Sequence, residues 1–294
     1  MIAEGLPVAV PTETVYGLAA DATSGEAVAR IYAAKGRPDF NPLIVHVADL
    51  EAAEAIGLFD PTARRLAAAF WPGPLTLVVP RHPDSPIARL ATAGLETIAI
   101  RIPAHLAMRD LLATAMKPLA APSANASGTI SPTKAEHVLK SLDGLVPLIV
   151  DAGPTEVGLE STIVAVAPDH LRLLRPGPIS AAALRDATDF EVRSGNGGAI
   201  EAPGQLASHY APSKPLRLDA RDRRKGEWLI GFGDVTGDAT LSDRGDLIEA
   251  ASQLFDLLHQ ADAAEAHSIA VAPIPETGLG LAINDRLRRA AAPR

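Results

Sequence analysis

No stretch of this chain limits its fold and chemistry more than residues 34–46, Ala34-Lys35-Gly36-Arg37-Pro38-Asp39-Phe40-Asn41-Pro42-Leu43-Ile44-Val45-His46. Two cations, an amide and an imidazole are packed there between a helix and a strand. Upstream, Ser24 is placed to N-cap a helix in which Val28, Ile31 and Ala34 recur at the spacing of one buried face. Gly36 and Pro38 stop that helix. Leu43 to Val47 is an apolar, β-branched run that reads as a buried strand, so Lys35, Arg37 and Asn41 sit on a short loop held by two rigid elements. Such a loop is a good mount for an anion site. The plainer reading is a pair of solvated cations at a helix C-terminus, favoured by its dipole.

Other loops have a similar composition. Val8 to Val10 reads as a strand running into Pro11-Thr12-Glu13-Thr14-Val15-Tyr16-Gly17-Leu18, where hydroxyls cluster, although turn hydroxyls ordinarily satisfy their own backbone. Trp71-Pro72-Gly73-Pro74 is a rigid turn before strands at Leu75 to Val79 and Thr97 to Ile102. Arg101 falls inside the second of these, where a cation is costly unless an anion meets it; it is either salt-bridged or a ligand clamp. Leu119 to Gly128 is a strand breaking into small polar residues, Ser123 and Asn125 among them, beside which a ligand can approach the backbone. Ser131, or Thr133 with Glu136 at capping-box spacing, opens a further helix, and helix N-termini attract anions. Leu148 to Val150 and Thr162 to Val166 read as strands, and Leu171 to Leu174 pairs with the latter as a hairpin that delivers Arg175-Pro176-Gly177.

This mixture predicts an α/β (α+β) domain over residues 1–188, a twisted mixed sheet flanked by helices. Residues 189–215 shift to Gly, Pro, Asn and Ser, including Gly195-Asn196-Gly197-Gly198 and Pro203-Gly204, and read as a linker. His209 and Tyr210 lie side by side in it, as a lid over the cation site or as a staple between domains. Residues 216–294 alternate strand and helix, a small C-terminal Rossmann-like α/β domain. Its Gly231-Phe232-Gly233-Asp234-Val235-Thr236-Gly237 has one residue too many for a dinucleotide fingerprint, and no P-loop occurs.

Composition removes several function classes. No apolar run approaches the roughly 18 residues that span a bilayer, and no signal peptide is read at the N-terminus. With 0 Cys there is no disulfide, thiolate nucleophile or Cys-ligated metal, which fits a cytoplasmic protein. A net charge of −8 argues against coating nucleic acid but permits a phosphate-bearing small molecule. The polar loops are one-sided: Lys35, Arg37, Arg101 and Arg175 are cations, the rest mostly hydroxyls and amides, and no Ser sits in a nucleophile elbow. A site of this kind clamps a polyanion, as reactions at phosphorus or on a carbamate require.

The motifs now assembled, from Pro11–Leu18 and Ala34–His46 through Trp71–Pro74 and Pro122–Asn125 to Glu160-Ser161-Thr162 and Arg175–Gly177, resemble those of the YrdC-like threonylcarbamoyl-AMP synthases in their long two-domain form. The resemblance covers most of residues 8–180, with Pro203-Gly204 and His209-Tyr210-Ala211-Pro212 similar to the long form's linker. It implies an enzyme that makes threonylcarbamoyl-adenylate and pyrophosphate from L-threonine, bicarbonate or CO2, and ATP, its product passing to a downstream tRNA-modifying transferase. The implied catalytic set is Lys35, Arg37, Ser123 and Asn125. Threonine contacts fall on Thr14, His46, Arg101, Ala121 and Ser161, and ATP contacts on Arg37, Asn41, Thr97, Ser123, Ser131, Arg175 and Tyr210. Mg²⁺ would come with ATP; no organic prosthetic group, protein metal site, membrane contact or direct tRNA binding is expected. The competing readings are a non-catalytic double-stranded RNA-binding module and an adenylating enzyme for another amino acid.

Overall fold

The computed structural model describes residues 1–195, 201–205 and 208–293, so Asn196, Gly197 and Gly198 of the expected linker lie outside the described residues. A short 3-10 turn, Ile2–Glu4, precedes the first strand. The first unit then runs β1 (Val8–Pro11), β2 (Tyr16–Asp21), α1 (Gly25–Lys35), β3 (Ile44–His46), α2 (Leu50–Glu54), α3 (Pro61–Phe70), β4 (Leu75–Pro80) and β5 (Thr97–Arg101). It continues with α4 (Leu106–Ala115), β6 (Leu119–Ala120), α5 (Ala135–Leu142), β7 (Thr162–Val166), β8 (His170–Arg175), α6 (Ala181–Thr188) and β9 (Glu191–Ser194). The second unit is β10 (Leu216–Arg217), β11 (Glu227–Gly231), β12 (Ala239–Thr240), α7 (Leu247–Ala263), β13 (Ser268–Val271) and α8 (Gly280–Ala291).

The fold class is the expected one. A nine-stranded mixed sheet has the order β1-β2-β6-β3-β5-β4-β7-β8-β9, and a separate four-stranded sheet, β10-β13-β11-β12, pairs in parallel throughout. Among the described residues no helix is long and apolar enough to cross a membrane.

Local chemistry explains the elements nearest the site. Ser24 caps α1 as its sequence predicts, its hydroxyl accepting from the Ala27 N–H at 3.2 Å. Gly36 ends the helix at φ 57°, and a Cβ there would meet nothing within 4 Å, so this glycine serves conformation rather than space. Three readings differ. The helix at 135–142 begins after Lys134 with no side-chain cap, because Thr133 faces His137 instead of closing a capping box with Glu136. Leu148–Val150 makes only an isolated bridge from Ile149 to Ala9. Glu191–Ser194, inside the stretch read as linker, pairs in parallel with β8 and lengthens the first sheet.

Strand periodicity positions the site. In β5, Ile98 and Ile100 point into the main core under the helices while Ala99 joins a thinner cluster with Ile44, Ile163 and Leu174 on the opposite face. Arg101 shares that opposite face by the two-residue repeat. β3 repeats the arrangement: Val45 enters the main core, and Ile44 and His46 face the other way. The two strands are parallel and in register, His46 beside Arg101, so both polar side chains emerge at the same carboxyl ends. The second unit closes over this region. Its core takes in Val15, Ile130, Leu159 and Tyr210, and Gly158 lies so close to α7 that a Cβ would stand 2.5 Å from Ala251 O.

Candidate active site

The hairpin turn joining β1 to β2 builds the first wall. The Thr12 hydroxyl donates to Val15 O at 2.7 Å, the bland role expected of a turn hydroxyl. That commits its only proton, so Thr14 Oγ1, 2.8 Å away, donates to Thr12 and leaves its lone pairs for Arg101 Nη1 at 2.9 Å. Arg101 is therefore held from below. Its Nη2 meets Glu13 Oε1 at 2.6 Å and its Nε donates to Gly73 O at 3.2 Å, which gives the Trp71–Pro74 turn its purpose. The salt-bridge alternative for Arg101 is what forms, and two of its five N–H groups remain available toward the cavity. Burial alone would raise the Glu13 carboxyl, but the charge and hydrogen bond of Arg101 hold it below the ordinary value.

Around the opening stand Thr14, Arg37, His46, Arg101, Ala121, Ser123, Ser161, Arg175 and Tyr210, which line one cavity. The sequence reading named every one of them. His46 is buried with Nδ1 unpaired, and burial together with the Arg101 charge pushes its pKa down to about 3, so the ring is neutral. Ser161 Oγ lies 2.7 Å from Thr76 Oγ1 and accepts from Arg175 Nη2 at 3.1 Å. Arg37, half-buried, donates through Nε to Asn41 O at 3.2 Å and through Nη2 to Pro42 O at 3.0 Å; burial lowers its pKa to about 10.

Five further candidates stand outside the lining. Lys35 is buried, and its Nζ donates to the backbone oxygens of Ser123 and Asn125, each at 2.5 Å, so it ties the small-residue turn to α1. Asn125 donates to Ala126 O and Thr129 O, and its Oδ1 is buried without a partner. Asn41 is buried with both amide atoms unpaired. Thr97 opens β5, at the end of the strand away from Arg101. Ser131 is buried and donates its hydroxyl to Glu160 Oε1.

Two carboxylates were missed as anchors. Glu13 orients Arg101, and Glu160 lines the cavity while pairing with Arg286 of α8. Among the described residues no carboxylate forms a salt bridge with Lys35, Arg37 or Arg175, although the charge of Glu160 also acts on Arg175, so positive charge is in excess at the cavity. His209, also in the lining, is held well below the usual imidazole value by burial and by Arg37, Lys35 and Arg175. Tyr210 is buried against Phe255, ring centroids 5.7 Å apart, in the staple arrangement, while its hydroxyl makes no hydrogen bond. Arg101 and Arg175, two of the cations that line the cavity, are buried.

A family model described as "Telomere recombination", covering the Sua5, YciO and YrdC proteins, matches residues 1–177, and one described as "Threonylcarbamoyl-AMP synthase, C-terminal domain" matches residues 179–292. The threonylcarbamoyl-AMP synthase of Bacillus subtilis is 41% identical over 318 residues, covering 100% of this chain and 92% of that protein. Its Pyrococcus abyssi namesake is 40% identical over 317 residues, with the same coverages of 100% and 92%. The crystal structure of P. abyssi Sua5 complexed with L-threonine superposes with a TM-score of 0.90 at 38% identity, over 99% of this chain and 92% of that one.

Proposed function

The chain belongs to the Sua5, YciO and YrdC family in its two-domain form, and on that premise we propose that it is a threonylcarbamoyl-AMP synthase, using L-threonine, bicarbonate or CO2, and ATP and releasing pyrophosphate. The observation that carries this reading is the charge arrangement of the cavity: among the described residues Arg37 and Arg175 face it without salt-bridge partners, beside hydroxyls and a neutral imidazole. Threonine's carboxylate, the carbamate formed on its amine and the triphosphate are all anionic, and bringing them together in water is opposed by repulsion. Fixed guanidinium groups remove that barrier without reorganising.

In the chemistry proposed, the threonine amine forms a C–N bond to CO2 and gives up a proton, and a carbamate oxygen then attacks the α-phosphorus. An O–P bond forms, the bond to the β-phosphate breaks, and pyrophosphate leaves. Thr14, His46, Arg101, Ala121 and Ser161 would hold threonine; the neutral His46 ring can accept a hydrogen bond without adding charge. Arg37, Asn41, Thr97, Ser123, Ser131, Arg175 and Tyr210 would hold ATP. Lys35 and Asn125 would shape the turn between the two substrates.

Magnesium is read here as part of the Mg·ATP substrate. The nearby carboxylates Glu13 and Glu160 are committed to Arg101 and Arg286, so among the described residues neither is left free to take the ion. When bound, the ion neutralises phosphate oxygens. The adenylate would be consumed in the cytoplasm by a tRNA-modifying transferase. Pyrophosphate release measured with each amino acid, with and without bicarbonate, tests the reading. Release that requires threonine and bicarbonate supports it, and release driven equally by another amino acid, without bicarbonate, overturns it.

A further inference from the structure

Arg286 belongs to α8 of the second unit, yet its contacts are made at the wall of the cavity in the first. It is 0% exposed. Its Nε donates to Glu160 Oε2 at 2.7 Å, and its Nη1 donates to Pro176 O at 3.0 Å and to Asp285 Oδ2 at 2.8 Å. Its guanidinium carbon lies 5.1 Å from the centroid of the Tyr210 ring. Glu160 lines the cavity, and its other oxygen accepts from Ser131. A carboxylate in the wall of a polyanion site works against the site unless its charge is met from behind. Burial alone would raise the Glu160 carboxyl, but Arg286 and Arg175 hold it ionised.

We propose that Arg286 is a positioning residue for the nucleotide, supplying from the C-terminal domain the countercharge that lets Glu160 stand in the wall of an anion-binding cavity, with Tyr210 fixed against the same guanidinium. The second domain thereby becomes part of the ATP site. The inference rests on the reading of this cavity as the place where ATP and threonine meet. Threonine is a zwitterion with little net charge and ATP carries several negative charges, so an uncompensated Glu160 repels chiefly the nucleotide.

The test is a cycle of Arg286→Met, Glu160→Gln and the double variant. KM for ATP and for threonine is read from threonine-dependent pyrophosphate release, with calorimetric Mg·ATP binding and a melting curve for each. Arg286→Met is expected to raise KM for ATP about tenfold or more while KM for threonine stays within about threefold, because it leaves the buried Glu160 carboxylate without its salt-bridge partner, facing only the more distant charge of Arg175. Glu160→Gln in the same chain is expected to restore KM for ATP to within about threefold of the parent, a rescue that a merely structural arginine would not show. An unchanged KM for ATP in folded Arg286→Met, or a folded double variant as impaired as the single, overturns the proposal. Should Arg286→Met fail to fold, the near-isosteric, uncharged double variant decides. If that too is unfolded, Arg286 is structural and the proposal falls. A parent chain that neither binds ATP nor releases pyrophosphate refutes the functional reading instead.

Discussion

The cavity of the first domain and the strand ends of the second treat buried polar atoms in opposite ways. In and beside the first, Asn41, His46, Asn125, His209 and Tyr210 each hold a buried polar atom with no hydrogen-bond partner, as Arg81, Ser85 and Thr155 do elsewhere in that unit. Among the described residues the second unit has none, the unpaired atoms all falling at or before Tyr210. Each such atom costs about 1–3 kcal/mol of lost solvation, which a fold retains where a ligand relieves it. The glycines make the same contrast. A Cβ on Gly237 would stand 2.2 Å from Leu229 O, and one on Gly231 would stand 2.3 Å from Val235 O. Two of the three glycines that look like a dinucleotide fingerprint, Gly231 and Gly237, are therefore consumed by packing against their own backbone, whereas Gly233 sits at φ 56° with open space around it. Glycine spacing alone does not mark a phosphate site.

The largest effect should come from arginines matched across the two regions. Arg37 donates to the Asn41 and Pro42 carbonyls, whereas Arg217 forms a two-point pair with Glu227 at 2.8 and 2.6 Å. Arg37→Ala is expected to lower the rate of pyrophosphate release by about 10², with Arg37→Lys a poor rescue because a point charge does not reproduce the fork. Arg217→Ala should stay within about twofold of the parent, at the cost of a lower melting temperature. Equal losses of activity would break the comparison. Lys35→Ala is a less clean probe, since it strips the donor from the Ser123 and Asn125 carbonyls and so costs stability along with turnover.

Next in size, Gly237→Ala should destabilise by about 2–3 kcal/mol through overpacking, read from urea midpoints, with turnover per folded molecule unchanged. Gly36→Ala should cost only about 1 kcal/mol, since space is open and only the left-handed backbone resists. A large fall in specific activity for Gly237→Ala would mean that the second domain's turn carries function after all.

Smaller again is Tyr210→Phe, which removes one unpaired hydroxyl and keeps the ring against Phe255 and Arg286. KM for ATP should rise about fivefold while the melting temperature holds or increases, because a buried group without a partner is gone. A clear drop in melting temperature would show the hydroxyl to be structural.

The smallest effect concerns pH. His46 at the site, and His259 where α7 meets α5, both have pKa values pushed down to about 3, chiefly by burial. The unfolded chain then binds more protons than the folded one from about pH 3 up to the ordinary value of 6.5, so stability rises with pH across that window and falls away as pH drops below 6.5. Urea midpoints at about pH 5 should lie below those at about pH 7.5, in a range above the carboxylate titrations. His259→Gln should shrink that difference; an unchanged difference would place the titration elsewhere.

The loops that carry the site were legible because each ends a recognisable strand or helix and each breaks an apolar pattern with a cation or hydroxyl. Arg101 is the clearest case: its place in an apolar strand required a partner, and Glu13 is that partner. What escaped was the identity of such partners. Glu13 and Glu160 are acids in a region read as polyanion-binding, and only three-dimensional pairing shows them to be supports. Arg286 sits in Asp285-Arg286-Leu287-Arg288-Arg289, which resembles a solvated helix face. A signal was nevertheless present. Ile283 and Ala290 are three residues before and four after it, a spacing that puts Arg286 on the buried stripe of α8. The two-residue strands β10 and β12 and the edge strand β9 are too short or too polar to leave a period-two pattern, and tertiary pairing alone reveals them.

The ion pair between Glu160 and Arg286 also sets a timetable. Its members are 126 positions apart in the chain. At roughly 5–20 residues per second of synthesis, Glu160 is made roughly 6–25 s before the arginine that neutralises it. During that interval Glu160 has no counter-ion from α8. The contacts that Arg286 makes at the cavity wall therefore form only after the last helix has emerged.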